Sequence, residues 1–350
     1  MSEPGLRHPA LTAGQIDAPH RTAELGDLQL ESGSIIHDYR QSYVMHGALD
    51  PERSNAILVC ASLTGNHHRL DFLIGPGRAL DTQRYCIIAT DPIGNGLSTS
   101  PSNSVRQRGM AFPRFAIRDM VHAQHRLLTE ELGIAHLCAV AGASMGGMQA
   151  LQWAVSEPSF MAACIAMTPM ARTAPWAVLV TQTARSCLMA DPAWTGNGFA
   201  GVPERGWRAY AGVMSVLLSR TPMALDETLN GMAAAHDWFA QSVTNLQANA
   251  FDATDYLYQS WAYEAHDVGT TSGHRNTEAA LAAIRAKTLV LAPPLDLFNP
   301  VSAARAAAMA IPDARFVEIP SVQGHQAATS LRDADAAFLN SSITDFLRRQ

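Results

Sequence analysis

The pentapeptide Gly142-Ala143-Ser144-Met145-Gly146 constrains the fold of this 350-residue chain more than any other stretch. The apolar run over 137–141 before it reads as a buried strand. After it, Met148, Leu151, Gln152 and Val155 recur at helical spacing until Glu157-Pro158 stops the helix. A strand that turns into a helix within so few residues forces the turning residue into strained backbone angles, and bulk on either side of it would clash. The predicted result is a Ser144 hydroxyl lifted clear of a sheet. The Met145 N–H then points to where negative charge on a carbonyl oxygen would develop. A glycine-rich turn that merely packs a helix on a strand would carry the same letters. The flanking strand and helix favour a nucleophilic serine.

The rest of the chain supplies a frame for such a turn. Buried strands are predicted over 56–61, 85–90, 161–167, 288–292 and 315–319, with an antiparallel hairpin over 28–45 at the sheet edge. An amphipathic helix is predicted over 117–132, closed by Gly133, and a last helix holds 343–347. Strands alternating with helices predict an α/β fold: a mostly parallel sheet covered on both faces. Hydrophobic residues make up 47% of the chain and charged ones 16%, enough for a large core. Residues 173–276 break the rhythm with helical patterns and no convincing strand. Seven of the 14 methionines lie between Met161 and Met232, and ordinary helix core is the favoured reading of them over a ligand-moulding surface. The expected division is a loose arm over 1–25, a core over 26–172 and 277–350, and a helical cap over 173–276.

Charge and cysteine usage narrow the class further. With a net charge of −6 and no Lys/Arg run longer than two, no nucleic-acid partner is expected. No signal-peptide pattern opens the sequence and no stretch of about 18 apolar residues would span a membrane. Cys60, Cys86, Cys138, Cys164 and Cys187 form no Cys-x-x-Cys pair. They read as small buried hydrophobes in a reducing cytoplasm.

A nucleophilic serine needs a base, and the base an orienting acid. In the strand–turn–helix arrangement, the nucleophile elbow of α/β-hydrolases, these follow in the order Ser, Asp, His. Asp296 lies just past the strand over 288–292, and His325 past the one over 315–319, each on the rim that carries Ser144. His266-Asp267 is a rival pair, but it follows no strand. The second oxyanion donor is expected from the loop after residue 61, with the Leu63 N–H as candidate. His67, just beyond that loop, is a candidate to line the site. His122 and His125 share a helix face without a third ligand, so no metal site is expected.

Several motifs together resemble the homoserine O-acetyltransferase family of α/β-hydrolases. They are Leu58 to Gly65, Phe112-Pro113 with Ile117 to Val121, Gly142 to Leu151, Asp191-Pro192-Ala193-Trp194, Phe251 to Leu257, Asp296-Leu297-Phe298 and Gly324-His325. The likeness implies a serine acyl-enzyme, a small-molecule acceptor such as homoserine, an acyl-CoA co-substrate in place of a permanently bound cofactor, and a homodimer formed through the cap. The alternative is an esterase or thioesterase with water as acceptor. Two positions depart from the transferase pattern. Gln326 stands where family transferases carry an aspartate that helps receive homoserine, and Asp91 to Ser98 resembles instead relatives known as hydrolases. For the family's carboxylate-gripping cap arginine, Arg185, Arg205, Arg208 and Arg220 are all candidates.

Overall fold

Successive side chains of a strand point to opposite faces, so a strand covered on both sides reads as an unbroken apolar run. The computed structural model describes residues 10–218, 220–248 and 251–349. Among these, eight strands form one sheet: β1 (Arg21–Gln29), β2 (Ile35–His46), β3 (Ala56–Cys60), β4 (Cys86–Thr90), β5 (Leu137–Ala143), β6 (Met161–Met167), β7 (Lys287–Ala292) and β8 (Ala314–Glu318). Their spatial order is β1-β2-β4-β3-β5-β6-β7-β8. The hairpin β1–β2 joins the sheet antiparallel to β4, and every pair from β4 to β8 is parallel. The loops after β3 to β8 therefore open on one rim, which carries Leu63, Asp91, Ser144, Thr168, Asp296 and His325.

The helices are α1 (Ile117–Arg126), α2 (Met145–Ser156), α3 (Pro175–Met189), α4 (Glu204–Ala211), α5 (Pro222–Thr228), α6 (Gly231–Ala248), α7 (Ala253–Glu264), α8 (Thr277–Ala282), α9 (Val301–Ala310) and α10 (Asp333–Leu347). Alternation divides the core in two. On one face Leu58, Cys60, Val140 and Cys164 pack with Met120, Val121, Leu151 and Trp153 from α1 and α2. On the other Ile57, Val59, Ala141 and Ile165 pack with Leu339 and Ile343 of α10. Burying each large aliphatic side chain contributes about 1.5–3 kcal/mol, so each layer is locked to the sheet by its own set. Helices α3 to α7 lie between β6 and β7 in sequence. They have a separate small core of Ala184, Leu188, Trp207, Tyr210, Tyr256 and Leu257.

Four expectations change. The arm over 1–25 is not loose throughout its described part: β1 begins at Arg21, because Ala23 and Leu25 point inward. Ahead of it, the Ile16 N–H donates to Asp71 at 2.7 Å, and His20 Nε2 lies 2.6 Å from Ser42 Oγ. The helix over 117–132 is α-helical only to Arg126 and continues over 127–131 as a wider π turn, with Gly133 closing it at φ 60°. The methionines form no single stripe: Met167 and Met170 are buried, whereas Met223 and Met232 are exposed. All five cysteines are free, but Cys138 and Cys187 are only half-buried. Among the described residues no helix is long and apolar enough to cross a membrane.

His266, just past α7, is buried, and its Nε2 has no hydrogen-bond partner among the described residues. Burial pushes its pKa down to about 4, against about 6.5 in the unfolded chain. The unfolded state therefore binds a proton that the folded state refuses, and stability falls as pH drops from about 6.5 toward 4. Urea unfolding at pH 7.5 and 5.0 is expected to show that His266→Leu loses about 2 kcal/mol less than the native protein over this interval.

Candidate active site

Ser144 stands at φ 57° and ψ −123° between β5 and α2. Backbone crowding makes the flanking glycines necessary. A Cβ on Gly142 would lie 2.1 Å from the Gly146 carbonyl oxygen, and one on Gly146 would lie 2.2 Å from that of Cys60. Gly147 is equally confined, 2.6 Å from the Met167 oxygen. The strained conformation is anchored by the Ser144 N–H, which donates to Met167 O at 2.9 Å and to Thr168 Oγ1 at 3.1 Å.

The structure brings Ser144, His325 and Asp296 together. His325 Nε2 lies 2.9 Å from Ser144 Oγ, and Nδ1 lies 2.8 Å from Asp296 Oδ2. All three residues are buried. A carboxylate can only accept, so Nδ1 carries the proton and Nε2 is left to accept from the serine hydroxyl. The other carboxylate oxygen, Oδ1, accepts the N–H groups of Phe298 and Asn299, each at 2.8 Å. Phe298 presents its ring to His325 edge-on, with centroids 5.0 Å apart, and stacks on Tyr263 at 5.5 Å. The imidazole is thus fixed by a charge at one end and an aromatic wall at its side.

The loop after β3 turns sharply beside the elbow. The Gly65 N–H bonds Ser62 O at 2.9 Å and Thr64 adopts φ 58°. Thr64 N–H donates to Gln259 of α7 at 3.0 Å. Ser62 Oγ donates to Ala143 O at 2.7 Å and accepts from Arg69 Nε at 2.8 Å, while Arg69 Nη1 donates to Ala328 O at 3.0 Å. Arg69 therefore ties this loop, the elbow and the His325 turn together. Burial lowers its pKa to about 10, which still leaves it charged at neutral pH. Among the described residues, neither the Leu63 nor the Met145 N–H has a protein acceptor. Met145 follows Ser144 directly, and Leu63 follows Ser62, which the bond to Ala143 O ties to the elbow.

Other residues singled out from the sequence are placed differently. His67 turns both its N–H and its Nδ1 to Asp91, at 2.9 Å each. Arg185 is buried and ion-paired with Glu264, with Nη1 3.3 Å from Ser260, so its charge is already matched between α3 and α7. Arg220 lies over the Trp238 ring at 5.3 Å, and Arg208 over that of Phe239 at 5.6 Å. Gln326 follows His325 directly in the short helical turn Gly324–Ala328 and is half-buried. The rival His266-Asp267 takes no part: Asp267 accepts from Gly269 N and Thr277 Oγ1.

One group among the described residues has donor atoms close enough to share a cation: His20, His67 and Asp91. Burial pushes the Asp91 carboxyl up. Hydrogen bonds from His20, His67 and Ser42 and the charge of His67 outweigh this and hold it well below the usual carboxylate range. With Asn95 donating as well at 3.1 Å, the carboxylate is saturated by the protein itself. Thr168, Arg69, Asn299 and Tyr263 escaped notice in the sequence. For Asn299 the only signal was its place three residues after an acid, where an Asx-type turn bonds its N–H.

The family model described as alpha/beta hydrolase fold matches residues 55–323. A homoserine O-acetyltransferase of Symbiobacterium thermophilum is 33% identical, over 86% of this chain and 87% of that protein. A probable esterase of Corynebacterium glutamicum is 32% identical, over 89% and 90%. Among solved structures, an acetylester hydrolase from Corynebacterium glutamicum superposes with a TM-score of 0.88 at 29% identity, covering 94% of this chain and 96% of that one. The chain belongs to the α/β-hydrolase family, in the group that holds homoserine O-acetyltransferases and acetyl esterases. It is accordingly an enzyme of acyl transfer or ester hydrolysis.

Because the elbow's glycines meet backbone rather than movable side chains, Gly142→Ala and Gly146→Ala are each expected to lower stability by about 3 kcal/mol or more. Gly201, where an added Cβ would meet nothing within 4 Å, is the control, and Gly201→Ala is expected to stay within about 0.5 kcal/mol by denaturant titration.

Proposed function

We propose that the protein is a serine esterase that cleaves acetyl-sized esters through an acyl-enzyme at Ser144, with water as the final acceptor. The observation that carries this reading is the 2.9 Å contact of Ser144 Oγ with a His325 whose Nδ1–H is held by Asp296. Ser144 Oγ attacks the ester carbonyl while its proton passes to His325 Nε2. The oxyanion is received by the N–H groups of Leu63 and Met145. Collapse breaks the ester bond, and the departing alkoxide takes the proton from His325. Water then gives a proton to Nε2 and attacks the acyl carbonyl; as the bond to Ser144 Oγ breaks, His325 returns that proton to Oγ, which releases the acid and restores the serine. Asp296 stabilises the imidazolium in both halves.

Water is favoured as acceptor by the charges around the site. A bound amino-acid alcohol brings an ammonium and a carboxylate. Gln326 offers a neutral amide at the position after His325, and the Arg185 charge is taken by Glu264. A charge-assisted hydrogen bond is roughly twice as strong as a neutral one. The acetyl preference is supported by the acetylester hydrolase that this chain resembles over most of its length. A second reading keeps the acyl-enzyme but takes the acyl group from acyl-CoA and hands it to a small alcohol. The homoserine O-acetyltransferase relatives favour it. An alcohol held in place can reach an effective molarity of about 10⁵–10⁸ M and so outcompete water.

With p-nitrophenyl acetate, Ser144→Ala is expected to lower kcat by about 10⁴-fold or more, and a quenched native sample is expected to carry one acetyl mass on the Ser144 peptide. Product analysis with acetyl-CoA and L-homoserine separates the two acceptors: kcat/KM for O-acetylhomoserine is expected well below about 10⁴ M⁻¹s⁻¹. Gln326→Asp is expected to raise it by roughly one to two decades, the worth of about 1–3 kcal/mol of restored pairing. A native value at or above that figure favours the transferase.

A further inference from the structure

Asp296 and Ser144 lie on loops from two different strands, and one buried side chain joins them. The Asn299 N–H holds Asp296 Oδ1 at 2.8 Å, and Asn299 Nδ2 donates to Thr168 O at 2.6 Å. Thr168 is the residue whose Oγ1 accepts the Ser144 N–H at 3.1 Å, and its own N–H donates to Leu291 O at the end of β7. Thr168 itself stands at φ 44°, a strained conformation for a β-branched residue. The Asn299 amide can be oriented only one way. Thr168 O is a carbonyl and must face the NH₂, so Oδ1 faces the opposite direction. There it accepts a hydrogen bond from the Tyr263 hydroxyl, on α7 of the cap segment.

Tyr263 and Asn299 are both fully buried. Burial raises the tyrosine pKa far above its ordinary value, so the hydroxyl keeps its proton and remains a donor at any working pH. The same ring stacks on Phe298, which walls His325. One cap residue thus reaches the acid loop through its hydroxyl and the imidazole through its face.

We propose that Tyr263 is a positioning residue: through Asn299 it holds Asp296 and the Ser144 elbow in register, so that the seating of the cap sets the geometry of the triad. This rests on the acyl-enzyme reading above. A carboxylate held at both oxygens fixes the direction of the His325 Nδ1–H, and with it the direction of Nε2 toward the serine. Losing the hydroxyl frees Oδ1 of Asn299 in a dry site and lets its amide turn away from Thr168. Acid loop and elbow then drift apart by a fraction of an ångström, while the stacked rings remain.

The test is Tyr263→Phe, which keeps the ring and removes only the oxygen, with Asn299→Ala beside it. For p-nitrophenyl acetate, kcat is expected to fall about 10-fold with KM within twofold, and Tyr263→Phe combined with Asn299→Ala is expected to be no worse than Asn299→Ala alone. The low-field proton resonance of His325 Nδ1–H, assigned by its loss in His325→Gln, is expected to shift and to exchange faster with water in Tyr263→Phe. Unchanged kcat with an unchanged resonance would overturn the proposal, as would lower kcat with the resonance unmoved. If Ser144→Ala keeps native turnover, the acyl-enzyme reading fails, and the resonance in Tyr263→Phe still decides the role of Tyr263.

Discussion

The structure depends on a close approach of backbone to backbone. Helix α2 begins so near β3 and β5 that Gly146 lies against the Cys60 carbonyl and Gly142 against Gly146 itself. No room remains for a side chain, and the chain can make the turn only by leaving Ser144 at positive φ. Such a residue persists only where its surroundings over-determine it. Here the Met167 carbonyl and the Thr168 hydroxyl hold its N–H, the buried face of α2 holds the helix, and the parallel pairing of β5 with β3 and β6 holds the strand. The strain is local, and the packing that sustains it is spread over the whole sheet.

From that point the site is assembled by loops that would not keep their shape alone. Arg69 links the loop after β3 to the elbow and to the His325 turn. Asn299 links the acid loop to Thr168 and so to the serine. The Asp91 network does similar work at the neighbouring strand end, where His20, Ser42, His67 and Asn95 converge on one carboxylate. It draws the segment before β1 onto the rim. Each link is a charged or polar group buried or half-buried with hydrogen-bond partners, the condition under which such groups rigidify a structure rather than weaken it.

Much of this was legible in the chain. The six runs predicted as parallel strands are all present; for β3 to β7 this is because a strand buried on both faces reads as an unbroken apolar run. The elbow was legible because Gly-x-Ser-x-Gly between a strand and a helix leaves few conformations open. Asp296 and His325 were legible through chain order and strand-end position. The acid partners of His67 and Arg185 are not legible in the chain, for a common reason. A histidine or arginine near a site in sequence reads as free, yet both spend their charge-bearing atoms on acids, Asp91 and Glu264. The start of β1 at Arg21 is not legible, because Ala23 and Leu25 are too few to mark a strand until β2 pairs with them.

The sequence by itself determined the order of the elements, the strained serine and which aspartate and histidine stand at the strand ends beside it, since these follow from periodicity, from glycine's lack of a Cβ and from chain order. Only the tertiary structure decided which buried polar groups are partners. Tyr263 and Asn299 are 36 residues apart, and Arg69 and Ala328 are 259 apart. No local pattern records such a pair, because a hydrogen bond depends on where two atoms arrive after the sheet has closed, and neither residue type changes if its partner is absent.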